Sequence, residues 1–426
     1  MHPRAERLIG RTRSTVRVPG LTIVAAVIAL SACRDALEPE LELELSPSIS
    51  ATEASGIWAD VRTGEVAAGA QYEMYVPRDW NGDVVFYAHG IRDVLEPVTL
   101  RDQDNAVAIR ERLGALGFAV AASSFTENGY AVKDGAQRTH QLRGLFASEV
   151  GQPRRSFVVG HSLGALIAMD LVERFPGHYD GALPACGILG GSQPQIDYIT
   201  NVRALFDLFY PGVLQGSAFE IPEGYNLTAA DQGRIIQAVM ANPAGLAVIA
   251  STAQTPLEFS FGPNMQTEML TSLIYALRYH ARGADNVLPL VNGKLPFDNT
   301  ATTYAPRAGF PALVPPAQLA GALAWINASV PRWQVSPGAE RYMERHYTPT
   351  GRVEVPIVTL HNRWDPLVPY FHEGLFAAAV GAAGTQSLVE QRTVDSFGHC
   401  NLSVDDVVGA FESLVSKADA RLAAAR

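Results

Sequence analysis

The feature that most constrains this chain is the junction at residues 156–175. Ser156-Phe157-Val158-Val159 is a short β-branched and aromatic run, Gly160-His161-Ser162-Leu163-Gly164 follows without a gap, and Ala165 to Phe175 reads as helix. A strand that runs through G-x-S-x-G straight into a helix must turn so sharply that the flanking glycines cannot carry a Cβ. The residue at the apex is held in a strained conformation with its side chain lifted clear. Ser162 occupies that apex, and the helix N-terminus beneath it favours negative charge developing beside it. The turn presents Ser162 as a candidate nucleophile and demands strand and helix layers around it.

The remaining sequence supplies those layers. Strand-like runs at Tyr72–Val76, Val84–Tyr87, Ala119–Ser123, Ser156–Val159 and Gly181–Pro184 alternate with helical segments at Asp102–Leu116, Gln137–Val150 and Leu163–Phe175. The alternation resumes after residue 352 with strands at Ile357–Leu360 and Leu388–Val394 and helices at His372–Ala383 and Val404–Ala424. Such alternation predicts an α/β fold with a mainly parallel sheet covered by helices on both faces. Residues 192–351 interrupt it. Apolar residues there recur at helical spacing: Val202, Leu205, Phe206 and Phe209; Leu270, Leu273, Ile274 and Leu277; Leu319, Ala322, Leu323 and Ile326. A helical insertion is expected, placed as a cap over Ser162, with Phe206 or Phe209 as candidate pocket residues. Pro296 to Thr300 reads as a turn-rich loop in which Asp298 has no chemical role.

A serine hydroxyl needs a base, and the base needs an orienting group. His399, in Asp395-Ser396-Phe397-Gly398-His399-Cys400 after the last strand, is the candidate base. Asp365, in Trp364-Asp365-Pro366-Leu367-Val368-Pro369, is the candidate acid, with room for one helix and one strand before His399. Asp395 is the rival acid, but its place at a strand end suits a turn former. The Leu163 N–H is the first expected oxyanion donor. The second comes from the loop after Tyr87-Ala88-His89-Gly90-Ile91, with Ile91 preferred over Gly90. His89 and His161 are read as packing residues.

These pieces resemble the α/β-hydrolase-fold serine hydrolases: YAHG at 87–90, GHSLG at 160–164, WDPLVP at 364–369 and FGHC at 397–400, spread over about half of the chain. The run VPRDWNGDVVFYAHG at 76–90 also resembles exported bacterial esterases and lipases loosely grouped with prolyl-oligopeptidase-like enzymes. No propeller repeat precedes it, which counts against peptidase activity. The resemblance implies a carboxylic-ester hydrolase that works through Ser162, His399 and Asp365 without a cofactor or metal, on a small-molecule or polymeric ester. A serine peptidase or amidase, an acyltransferase and a non-catalytic binding protein are the alternatives. The chain has no H-E-x-x-H, C-x-x-C or P-loop signature.

The N-terminus carries a second message. Residues 1–32 hold five Arg against one Glu and end in the 13-residue apolar run Gly20–Ala32, too short for the ~20 residues of a membrane-spanning helix. Leu30-Ser31-Ala32-Cys33 resembles a lipobox, so an exported protein anchored to the bacterial envelope through lipidated Cys33 is expected, and Arg34 after the cysteine favours an outer membrane. Residues 33–55, with Glu alternating with Leu, read as an acidic tether. The expected organisation is therefore signal segment 1–32, tether 33–55, core 56–191, cap 192–351 and core 352–426. Export suits the remaining cysteines: Cys186, after the elbow helix, and Cys400, beside the base, both belong at one sheet edge. A disulfide between them is one reading and two buried thiols the other. With a net charge of −10, the chain lacks the basic footprint of a nucleic-acid binder.

Overall fold

The structure, a computed structural model, describes residues 56–101 and 105–424. The signal segment, Cys33, the tether and the expected helix start at Asp102 lie outside the described residues. Eight strands form one sheet: β1 (Trp58–Ala67), β2 (Ala70–Pro77), β3 (Asp83–Ala88), β4 (Ala119–Ser123), β5 (Arg155–His161), β6 (Gly181–Ala185), β7 (Ile357–Trp364) and β8 (Val389–Phe397). Their order is β1-β2-β4-β3-β5-β6-β7-β8. β1 and β2 form an antiparallel hairpin, β2 pairs antiparallel with β4, and the strands from β4 to the β8 edge are mutually parallel.

The sequence reading begins its strands at Tyr72 and omits β1. Of β1 only Trp58 is buried, and the strand pairs with β2 alone, so it is a polar edge strand without the apolar run that marks an inner one. The inner strands do carry that run, because helices cover both faces and alternate residues feed different cores. Val84, Phe86 and Val158 join one core, packed with α2 (Val132–Glu149) and α3 (Leu163–Arg174). Val85, Phe157, Val159, Leu183 and Val358 join another on the opposite face with α12 (Val404–Ala424), where Phe157 and Phe411 meet edge to face at 5.6 Å. The helix preceding β4, Ala106–Ala115, is α1.

Between β6 and β7 the chain runs through α4 (Ser192–Phe209), α5 (Ala229–Ala241), α6 (Pro243–Ala250), α7 (Met265–Ala281), α8 (Gly283–Asn286), α9 (Pro316–Ser329) and α10 (Pro337–Tyr347); α11 (Phe371–Ala383) follows β7. The apolar faces expected there converge on a third core: Val202, Leu205, Phe206, Leu273, Ile274, Leu277, Leu323 and Ile326 are all buried in it. Among the described residues, no single helix is long and apolar enough to cross a membrane.

Candidate active site

The elbow forms where the sequence calls for it. Ser162 stands between β5 and α3 with φ 53°, in the left-handed region that a non-glycine residue adopts only when its surroundings hold it there. A Cβ on Gly160 would lie 2.0 Å from the Gly164 carbonyl oxygen, and one on Gly164 would lie 2.0 Å from that of Ala88. No other residue fits either place. The Ser162 N–H donates to the Ala185 carbonyl at 2.9 Å, which ties the elbow to the end of β6.

Two distant loops complete a row of hydrogen bonds. His399 Nε2 lies 2.9 Å from Ser162 Oγ, and His399 Nδ1 lies 3.0 and 2.9 Å from the two carboxylate oxygens of Asp365. Facing a carboxylate, Nδ1 carries the ring proton, and Nε2 is left bare to accept the Ser162 O–H. Asp365 is fully buried and crowded with donors. Its Oδ1 also accepts the N–H groups of Leu367 and Val368, each at 2.9 Å, and its Oδ2 that of Cys400 at 3.2 Å. Burial pushes this carboxyl up, but the charge and hydrogen bond of His399, helped by His361 and the Val368 N–H, outweigh it and hold the group below the usual carboxylate range. The rival Asp395 is exposed and accepts instead from Arg363 Nε at 2.6 Å.

The sheet order, the elbow after β5, Asp365 after β7 and His399 after β8 together decide the architecture. The chain has the α/β-hydrolase fold. No protein-family model and no curated sequence matches it. Similar solved structures include an acylaminoacyl peptidase from Pyrococcus horikoshii (8% identity over 83% of this chain and 40% of that one, TM-score 0.41). A puromycin-hydrolyzing peptidase from Mycobacterium tuberculosis is 12% identical over 86% of this chain and 40% of that one, with a TM-score of 0.42. Est1E from Butyrivibrio proteoclasticus is 11% identical over 84% of this chain and 98% of that one, at 0.39. The chain thus spans well under half the length of the two peptidases.

In this fold the elbow and the β3 loop meet at one cavity, whose wall contains Ile91, Ser162 and Leu163. Leu163 opens α3, where the first backbone N–H groups have no helical acceptor. His89 does more than pack. Its ring is buried, stacks on Phe125 at 3.9 Å and sets Nδ1 2.7 Å from the Gly90 carbonyl, with Nε2 3.3 Å from the Ser124 carbonyl. Burial, with the charge of Arg92, lowers its pKa to about 3, so the ring is neutral and donates once, across the shorter contact. The Gly90–Ile91 peptide is planar and trans, so anchoring its carbonyl turns the Ile91 N–H the opposite way. His161 is a packing residue: it stacks on Tyr87 and sets Nδ1 2.7 Å from the Tyr87 hydroxyl, and desolvation, with the charges of His399 and Arg92, lowers its pKa to about 3.

Cys186 and Cys400 are joined by a disulfide, with Cα atoms 5.3 Å apart. Each has a left-handed φ, 42° and 52°. Cys186 is fully buried at the end of β6 and its N–H donates to the Leu360 carbonyl at 2.8 Å, so the bridge fastens the His399 loop to the sheet. Asp365, His399 and Cys400 place possible metal-ligating atoms within 4.8 Å of one another. With the sulfur in a disulfide and the carboxylate committed to His399, that set is poorly suited to a cation.

The cavity has a volume of about 70 Å³. Its other walls come partly from the core, through Tyr130, Ile188, Leu367 and Val368, and partly from the helical insertion, where Ile196, Ile199 and Thr200 on α4, Tyr279 and His280 on α7 and Val287 after α8 line it. The expected Phe206 and Phe209 are not among them. They lie on another face of α4, Phe206 fully buried 5.0 Å from the Tyr210 ring and Phe209 5.3 Å from that of Trp325, where they fill the cap's own core. The sequence marks every apolar stripe of α4 alike; which stripe meets the cavity follows from how the helix is docked.

Proposed function

We propose that this chain is a serine carboxylic-ester hydrolase, exported and held to the bacterial envelope through Cys33. The observation that carries the proposal is the unbroken row from Ser162 Oγ through His399 to Asp365, with Ser162 in the wall of a cavity. Ser162 Oγ bonds to the ester carbonyl carbon while its proton passes to His399 Nε2. The carbonyl oxygen becomes an oxyanion received by the N–H groups of Leu163 and Ile91. As the intermediate collapses, the alcohol oxygen leaves and takes the proton from Nε2, and the acyl group stays on Ser162. Water then gives a proton to Nε2 and adds to the acyl carbon. Ser162 Oγ departs, recovers that proton, and the acid is released. Asp365 stays ionised throughout and holds the imidazolium in place. Every group the reaction needs is a protein group.

None of the described wall residues of the cavity is charged. A peptide terminus would enter it without a counter-ion, so an uncharged ester suits the site better than a terminal peptide. The disulfide supports an oxidising compartment, and with it the reading of the N-terminus as an export signal. The test is turnover of nitrophenyl esters from acetate upward, with a peptide anilide alongside. Ester hydrolysis should fall by roughly 10⁶-fold in Ser162→Ala with no change in Tm. Anilide cleavage without ester cleavage would replace this reading with a peptidase, and silence on both with a binding protein.

A further inference from the structure

Behind Asp365 a second row of hydrogen bonds runs away from Ser162. It starts at His372, on α11, whose ring is fully buried. The Gly190 N–H donates to His372 Nδ1 at 3.1 Å, so Nδ1 is the bare nitrogen and Nε2 carries the ring hydrogen. Nε2 faces Gln195 Oε1 at 2.9 Å, and Gln195 Nε2 donates in turn to the Leu367 carbonyl at 2.7 Å. Both neighbours fix the amide the same way round, since turning it over would set donor against donor and acceptor against acceptor. Burial, with the charge of His361, lowers the pKa of His372 to about 3, so the ring is neutral and the pattern holds at ordinary pH.

The row continues through the backbone. The Leu367 carbonyl and the Val368 N–H belong to one peptide group, and that N–H donates to Asp365 Oδ1 at 2.9 Å. The group is planar and trans, so its oxygen and hydrogen point opposite ways, and fastening one end aims the other. A carbonyl that accepts a hydrogen bond also polarises its peptide and strengthens the N–H as a donor. Gln195 is buried, stands on α4 at the start of the insertion, and contributes to the cavity wall.

We propose that Gln195 is a positioning residue for the hydrolysis: with its amide fixed by His372, it orients the Leu367–Val368 peptide and through it the carboxylate of Asp365 that steers His399. This rests on the ester-hydrolase reading. It also gives α4 two duties, because the helix that walls the cavity carries the side chain on which the setting of Asp365 depends.

The test reads the reactivity of Ser162 apart from any choice of ester. When Ser162 Oγ attacks a fluorophosphonate, an O–P bond forms, fluoride leaves and the hydroxyl proton passes to His399, so the rate of labelling of the whole chain reports on the row. Gln195→Met keeps the side chain's length and removes both hydrogen bonds. Labelling should slow by about tenfold, and kcat for a nitrophenyl ester should fall with it by more than KM changes. Gln193→Met, on the same helix but outside the cavity wall, removes bonds of the same kind to Asp197 and the Pro296 carbonyl and should leave the labelling rate unchanged. Gln195→Glu is the conservative variant, and it serves also if Gln195→Met does not fold. Its buried carboxyl keeps a proton at neutral pH, accepts from His372 and donates its O–H to Leu367; once ionised it can only accept. Its rate relative to wild type should therefore be near unity at neutral pH and fall as pH rises, whereas Gln195→Met is slow throughout. In Asp365→Asn protein, Gln195→Met should cost nothing further. Wild-type labelling by Gln195→Met, an equal loss in Gln193→Met, or a loss that adds in full to that of Asp365→Asn would overturn the proposal. A wild type that is labelled but hydrolyses no ester would remove the ester reading alone, and the labelling rates would still decide the role of Gln195.

Discussion

The Ser162–His399–Asp365 row and the helical insertion differ in how their polar groups are partnered. At the sheet edge Asp365 is met by three backbone N–H groups and by His399, and His399 is met on both ring nitrogens. In the cap, His280 and Asn286 each meet one partner and keep one acceptor idle. A reaction centre gains from dipoles that are already in place, because reorganising them would raise the barrier.

That contrast can be broken first at the sheet edge. Asp365→Asn keeps the shape but sets an amide against His399 Nδ1, so the ring loses the carboxylate that fixes its tautomer. We expect kcat to fall by about 10⁴-fold while KM holds. A variant with near wild-type turnover would show that Asp365 does not orient the base. The same residue links stability to pH. Its folded pKa lies below the ordinary value, so its contribution is present above the ordinary carboxylate range and is lost as pH falls toward the lowered value. Thermal denaturation of wild type and Asp365→Asn from neutral to acidic pH should show the wild type losing more of its stability.

The second test concerns the bridge. Replacing Cys186 with Ser cuts a link that spans 214 residues of sequence and frees the loop carrying His399. Unfolding free energy should drop by about 2–5 kcal/mol in denaturant titrations. Turnover should fall by up to about 10²-fold with KM little changed, since the misplaced group is the base and not a wall of the pocket. A loss of stability with turnover intact would make the bridge a staple of the fold alone.

The smallest effects are expected in the cap, where two positions on one helix should part company. Ile199→Ala enlarges the cavity and should shift preference toward longer acyl chains by about tenfold, with little change in Tm. Phe206→Ala, in the cap's core, should cost about 3–5 kcal/mol of stability and leave the chain-length profile where it was. A reversal of these outcomes would mean that α4 is docked differently over Ser162.

The hydrogen-bonded row from Ser162 to Asp365 was largely legible from the sequence because each of its parts is local. A β-branched run, two glycines around Ser162 and a helix make an elbow wherever they occur, and Trp364-Asp365-Pro366 and Gly398-His399-Cys400 sit in irregular segments that follow strands. Where the structure departs from expectation, the information was not local. β1 carries a polar pattern because it is an edge strand, and His89 reveals its hold on the Gly90 carbonyl only when the ring is seen against Phe125. Phe206 and Ile199 are indistinguishable by hydropathy; the docking of α4 sends one into the cap's core and the other to the cavity.

The sequence by itself thus determined the layers, the elbow and the identity of the groups that form the hydrogen-bonded row, because steric limits and side-chain periodicity act over a few residues. Only the tertiary structure decided which wall faces the nucleophile, that Cys186 meets Cys400, and that Gln195 stands between His372 and the Leu367 carbonyl. Those outcomes depend on packing between segments a hundred or more residues apart, where burial rewards any apolar stripe alike and the choice among stripes belongs to the whole fold.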